Sequence, residues 1–210
     1  MRVMVSNDTS FKMGILAGAT GMLGHLYSPG GERGPFEELP YVLDNGIFAL
    51  TQRNVDFKPA VWIELLDWAA TKEQRPLWAT VPDVLFDRDR TLERWHEYVS
   101  VVRERGIRPA FVLQDGMTFA DVPDADCMLF VGGSTKWKED AIVPWCARFP
   151  GRVHVARVTE RKRLWKCWRA GAVSVDGNGW WRETAKPGLE PQFNVLKEFC
   201  RAQAQERMAA

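Results

Sequence analysis

At 210 residues the chain is long enough for one domain with a sizeable core. Its 46% apolar and 26% charged residues are ordinary for a globular protein, and a net charge of +1 leaves no overall nucleic-acid footprint, so such a partner has to be met by a local patch. The four cysteines, Cys127, Cys146, Cys167 and Cys200, lack the spacing of a disulfide framework or a structural zinc site and read as buried thiols; with no membrane-length apolar segment and no signal pattern, a cytoplasmic protein is expected.

Arg2 to Ser6 reads as a first strand, followed by the polar cluster Asn7-Asp8-Thr9-Ser10. Met13 to Leu26 is ambiguous. Its glycines Gly14, Gly18, Gly21 and Gly24 permit a close-packed helix, or a strand over Met13 to Ala17 followed by a loop. Ser28 to Pro40, rich in Gly, Pro and Glu, reads as a surface loop leading into the apolar run Tyr41-Val42-Leu43, which ends at Asp44-Asn45-Gly46. Pro59 opens a helix with Trp62, Leu65, Leu66 and Ala69 on one face. Leu77 to Val81 is a strand running into Pro82-Asp83. Thr91 is the predicted N-cap of a helix with the stripe Leu92, Trp95, Val99 and Val102, ended by Gly106.

The same strand-then-polar pattern recurs further on. Ala110 to Leu113 runs into Gln114-Asp115-Gly116, and Cys127 to Val131 into Gly132-Gly133. A helix carrying Ala141, Ile142, Trp145 and Cys146 stops at Pro150-Gly151, and Arg152 to Val158 forms a strand. From Thr159 a helix runs through Trp168 and Ala170 to Gly171 at its C′ position. Ala172 to Val175 runs into Asp176-Gly177; a loop with Trp180 and Trp181 then leads to a last amphipathic helix presenting Phe193, Leu196, Phe199 and Cys200. Most of the ten tryptophans sit at helical spacings and read as core.

Strands alternating with helices imply an α/β fold with a parallel sheet, and both a barrel and an open doubly wound sheet accommodate seven strands with Met13 to Ala17 as a candidate eighth. Polar residues on nearly every strand end favour a compact (β/α)8 barrel, a single domain over 1–210, because only a barrel brings all strand ends to one rim. No dinucleotide-binding Gly-x-Gly-x-x-Gly or phosphate-binding Gly-Lys-Ser/Thr loop is present.

Two carboxylates on one rim can divide labour at an anomeric carbon, one attacking C1′ and the other managing the proton of the departing group. Asp44 and Asp176 are the candidates, each ending an apolar run beside a glycine that lets substrate approach. Asp83 and Gln114 offer donors and acceptors for a purine edge, and Gly132 and Gly133 expose backbone groups to the same base. Each has a plainer reading: turn residues for Asp44 and Asp176, an N-cap for Asp83, strand-end satisfaction for Gln114. His154, alternating with valines, faces either the barrel interior or the outer helices, and a structural histidine is the commoner fate. Arg157, near the rim, is a candidate phosphate holder.

This ordered series resembles the tRNA-guanine transglycosylase superfamily, most of all its short DNA-modifying branch, the DpdA-type DNA 7-deazaguanine transglycosylases. Asp44-Asn45-Gly46-Ile47-Phe48 sits where the family has Asp-Ser-Gly-Gly-Phe, Gln114-Asp115-Gly116 resembles its Gln-Gly-Gly base reader, and Gly132-Gly133-Ser134 its Gly-Gly-Leu strand end. Asp176 matches the family's nucleophile, and Asp83, or less closely Asp87, its base-binding Asp. The matches span residues 41 to 177. Asn45 stands where the family has Ser and Asp115 where it has Gly, and the zinc subdomain of the tRNA enzymes is missing, which points to DNA rather than tRNA. The resemblance implies exchange of guanine in DNA for a free 7-deazaguanine such as 7-cyano-7-deazaguanine, with Asp176 as nucleophile, Asp44 as acid/base, Asn45, Asp83, Gln114, Asp115, Gly132 and Gly133 around the base, and no metal or redox cofactor.

The strongest basic run holds Arg161, Lys162, Arg163 and Lys166; with Lys136 and Lys138 it is a candidate track for a nucleic-acid backbone, against the plainer reading of a solvated helix face. Two alternatives remain: a purine nucleoside or DNA glycohydrolase using water in place of the incoming base, and a non-catalytic barrel that grips DNA. Oligomeric state is not encoded in any of these features.

Overall fold

The computed structural model describes residues 1–6, 11–31, 38–177, 179–180 and 191–209. Eight parallel strands close into a barrel in sequence order: β1 (Arg2–Ser6), β2 (Leu23–Tyr27), β3 (Tyr41–Leu43), β4 (Ala79–Thr80), β5 (Pro109–Leu113), β6 (Met128–Val131), β7 (Val153–Val155) and β8 (Ser174–Gly177). The ring shuts because β1 pairs with both β2 and β8. Outside it lie α1 (Phe11–Thr20), α2 (Ile47–Gln52), α3 (Pro59–Ala70), α4 (Arg88–Arg103), α5 (Thr135–Arg148), α6 (Arg161–Ala170) and α7 (Gln192–Ala209). The predicted (β/α)8 architecture is therefore the observed one. Among the described residues, no helix is long and apolar enough to cross a membrane.

The eighth strand is not where the sequence suggested. Met13 to Ala17 lies inside α1, and the strand is Leu23–Tyr27. Gly24, one of the glycines that left this stretch ambiguous, is required by close approach: a Cβ there would sit 2.4 Å from the Pro40 carbonyl oxygen. Thr91 is not the N-cap of α4. Asp87 caps it, accepting from the Arg90 N–H at 3.0 Å, while the Thr91 hydroxyl, one turn in, donates to the carbonyls of Asp87 and Val84. Ile47–Gln52 forms a short helix that the pattern did not announce, entered through Gly46 at φ 78°. The predicted polar cluster 7–10, residues 32–37 of the loop before Pro40 and most of the loop after Gly177, Trp181 included, lie outside the described residues.

Two apolar layers follow from the alternation of side chains along a strand. Odd-numbered strand residues such as Val3, Leu43, Phe111, Leu129 and Val155 join the large core between barrel and helices, with Trp62, Trp95 and Trp145. Even-numbered ones, Met4, Leu26, Val42, Ala110, Val112, Met128 and Phe130, fill the barrel with Trp78 and Ala156. Trp78 is the large plug of this interior, edge-on to Phe130 and to His154. The barrel is thus packed below its C-terminal rim, and space for a ligand begins only above that layer.

Candidate active site

The even-numbered rows that fill the barrel continue upward into polar residues. Val42 leads to Asp44, Val112 to Gln114, Phe130 to Gly132, His154 to Ala156, and Ser174 to Asp176. These residues, with Asn45, Asp83, Gly133 and Arg157, line a cavity of about 320 Å³ at the C-terminal mouth. Catalytic groups of this fold are carried at that mouth, on the ends of different strands. Of the eight predicted catalytic and base-contacting residues, only Asp115 does not line the cavity.

Asp176 is buried, and its carboxylate is held from two sides. Oδ1 lies 2.9 Å from His154 Nε2, and the Arg157 backbone N–H donates to both oxygens at 3.2 Å. His154 Nδ1 is 2.8 Å from the Ser174 hydroxyl. With Asp176 ionised, Nε2 must carry the proton, and the Ser174 O–H then donates to Nδ1. Arg157 aims its N–H from a left-handed backbone, φ 55°, and its guanidinium donates to the Gly133 carbonyl and lies 4.2 Å above the Phe48 ring. His154, read from sequence as more plainly structural, is the group that orients Asp176.

Asp44 is partly exposed on the cavity wall and receives the Gly46 N–H at 3.1 Å. Burial pushes its pKa up to about 7, the charges of Asp176 and Asp83 push the same way, and the N–H groups of Gly46 and Asn45 oppose them. Asp83 is raised to about 6, chiefly by burial, against hydrogen bonds from Asn45 and Gln114 and the charge of Arg94. Its oxygens accept from Asn45 Nδ2 at 2.8 Å and Gln114 Nε2 at 2.6 Å. Asn45 also donates to the Val81 carbonyl and accepts from Ile47 N–H, and Gln114 Oε1 accepts from Phe86 N–H, so both amides hold Asp83 in place. Arg94 reaches the Asp83 carbonyl at 2.9 Å.

Asp115 is turned away. Its carboxylate accepts from the backbone N–H and hydroxyl of Ser134, both at 2.6 Å, and so anchors the start of α5, which Ser134 caps. The glycine pair is set by packing as much as by access. At Gly133, φ 58°, a Cβ would fall 2.6 Å from the Trp137 ring and 2.7 Å from Asp115. Gly133→Ala is therefore expected to destabilise the protein by about 1–3 kcal/mol. An unchanged urea midpoint would contradict that crowding.

The basic run divides. Arg161 is paired with Glu198, and Arg163, buried, with Glu139, which also receives Lys166. Lys138 is buried and donates to the Ala156 carbonyl, so it is not part of any exposed track. Lys162 and Lys136 are exposed. Among the described residues, no cluster of three or more His, Cys, Asp or Glu is arranged to hold a metal ion.

Phe48, the last residue of the Asp44 segment, also lines the cavity, as do Ser6, Ser28 and Thr159, which were not singled out as site residues by sequence. Ser6 and Ser28 carry the parity of the interior rows, the one signal that marks them.

No family model matches the chain, and no curated protein matches it. Solved structures do. A mutant tryptophan synthase α-subunit from Pyrococcus furiosus has TM-score 0.57 at 13% identity, with 95% of each chain covered. A putative fructose-1,6-biphosphate aldolase from Coccidioides immitis has TM-score 0.56 at 13% identity, over 96% of this chain and 87% of that one. The tryptophan synthase α chain of Legionella pneumophila has TM-score 0.54 at 10% identity, over 96% and 89%. At these identities the likeness establishes the eight-stranded barrel.

Proposed function

We propose that the protein is an enzyme that exchanges guanine in DNA for a free 7-deazaguanine, through a covalent bond between Asp176 and C1′ of the deoxyribose. The observation that carries this reading is the convergence of Asp44 and Asp176 on one cavity in unlike surroundings. Asp176 is gripped by three donated hydrogen bonds, and Asp44 has a pKa near neutrality. Two carboxylates in such unlike surroundings can supply an oxygen for attack and an acid for the leaving group. The ordered likeness to the transglycosylase motifs supplies the substrate class; the structural neighbours add only the fold.

In the first half-reaction an Asp176 oxygen attacks C1′ as the N9–C1′ bond breaks. The bonding pair leaves on guanine, which takes the Asp44 proton. In the second half-reaction the incoming 7-deazaguanine gives its N9 proton to Asp44 and attacks C1′, the Asp176 ester bond breaks, and configuration is retained overall. Asp83, clamped by Asn45 and Gln114, keeps acceptor capacity for the N–H groups of a guanine edge. The target nucleotide is supplied single-stranded or flipped, since a stacked duplex buries it. Lys162 and Lys136 are the members of the basic run best exposed to meet a phosphate backbone.

The test is mass spectrometry of nucleosides after incubating the protein with guanine-containing DNA and candidate 7-deazaguanines. Incorporation of a 7-deazaguanine nucleoside is expected. Catalytic release of guanine from DNA alone would instead mean that water is the acceptor. No modification and no release, with DNA or tRNA and every base, would sink the proposal.

A further inference from the structure

We propose that Lys138 is a positioning residue for the Asp176 carboxylate, acting through the single peptide group that joins Ala156 to Arg157; this rests on the reading of Asp176 as the reacting group. Lys138 sits on α5, outside the barrel, yet only 2% of it is exposed, and its Nζ donates to the Ala156 carbonyl oxygen at 2.5 Å. The other end of that same peptide group is the Arg157 N–H, which donates to both Asp176 oxygens. A hydrogen bond accepted at the carbonyl of an amide makes its N–H a stronger donor. The chain from Nζ through the peptide to the carboxylate therefore works as one polarised unit.

Two further observations fit that role. Arg157 holds a left-handed φ of 55°, a conformation that a residue with a side chain adopts only when its surroundings impose it. Lys138 grips one end of this residue's peptide, while Asp176 and the Gly133 carbonyl grip its N–H and its guanidinium. The lysine is also an unfavourable choice for packing alone. Burial lowers its pKa to about 7, with Arg157 and, from α6, Arg163 pushing the same way, and with Asp176 and Cys167 opposing. A methionine of similar length would fill the space without burying a charge.

The test uses Lys138→Met in the full chain with two readouts. The first is independent of catalysis: the NMR shift and hydrogen exchange of the Arg157 amide. Its proton is expected to move upfield and exchange faster, with amides elsewhere in the barrel keeping their protection. The second is steady-state base exchange, where kcat is expected to fall about tenfold, the effect of losing one hydrogen bond made by a charged group, with KM unchanged. If Lys138→Met does not fold, Lys138→Gln, a shorter neutral donor, is expected to give a smaller displacement of the same sign. An Arg157 amide that stays put in the folded variant overturns the proposal. Absence of base exchange in the unmodified protein would remove the functional reading, while the amide measurement would still decide whether Lys138 positions Asp176.

Discussion

Asp176→Asn is expected to lower base exchange by about 10⁴-fold or more, the range seen when a covalent nucleophile is removed. The substitution is nearly isosteric. The asparagine carbonyl oxygen can still accept from the Arg157 N–H, so the melting temperature is expected to move by no more than a few degrees. What disappears is the anion that attacks C1′. Wild-type protein mixed with DNA in the absence of an incoming base is expected to accumulate a DNA–protein adduct that survives denaturation, and the variant none. A variant that kept a tenth of the rate would place the nucleophile elsewhere. A binding module would keep its full DNA affinity with this substitution and show no adduct in either form, so the same pair of measurements separates an enzyme from a barrel that only grips DNA.

Asp44→Asn is expected to abolish activity and, at pH 8, to make the protein more stable. With its pKa about 7 in the fold against 3.8 ordinarily, Asp44 retains a proton that the unfolded chain gives up. Its contribution is fully present below about pH 4, is lost as pH rises, and is gone above about pH 7. The loss is on the order of 4 kcal/mol as an upper bound, since the carboxyl keeps contact with solvent in the cavity. Asp83, raised to about 6, adds a loss of the same sign over about pH 4 to 6. Urea unfolding is therefore expected to show wild-type stability falling from pH 5 to pH 8, with Asp44→Asn matching it near pH 4 and exceeding it at pH 8. Wild-type exchange is expected to fall about tenfold per pH unit above pH 7, because guanine leaves on the protonated form. If the variant's advantage does not grow with pH, Asp44 is not held protonated and the assigned acid is wrong.

Much of this site is local in the chain. An apolar run that ends in Asp-Asn-Gly, Gln-Asp-Gly, Gly-Gly or Asp-Gly announces a strand delivering a polar residue to its C-terminal end, which places β3, β5, β6 and β8; β1, β4 and β7 are placed by their apolar runs. β2 escaped because the glycines of Met13 to Leu26 permit a helix or a strand alike, and only the close passage of Pro40 against Gly24 explains the glycine there. Gln114 and Asp115 are neighbours in sequence, yet one faces the cavity and the other anchors Ser134 on α5. The pairing of Arg163 and Lys166 with Glu139, and the inward turn of Lys138, depend on how α5 and α6 lie side by side.

The sequence alone determined the alternation of strands and helices, and with it the barrel and the candidate residues at its mouth, since each signal lies within a few consecutive positions. Only the tertiary structure decided which side chains share the interior: that His154 faces Asp176, that Asp44 and Asp176 enter one cavity, and that Lys138 reaches the peptide beside them. The reason is that strands of a parallel barrel are buried on both faces. In runs such as Tyr41–Leu43 and Met128–Val131 hydropathy then shows no alternation, inside and outside look alike, and the distinction exists only once the sheet has closed.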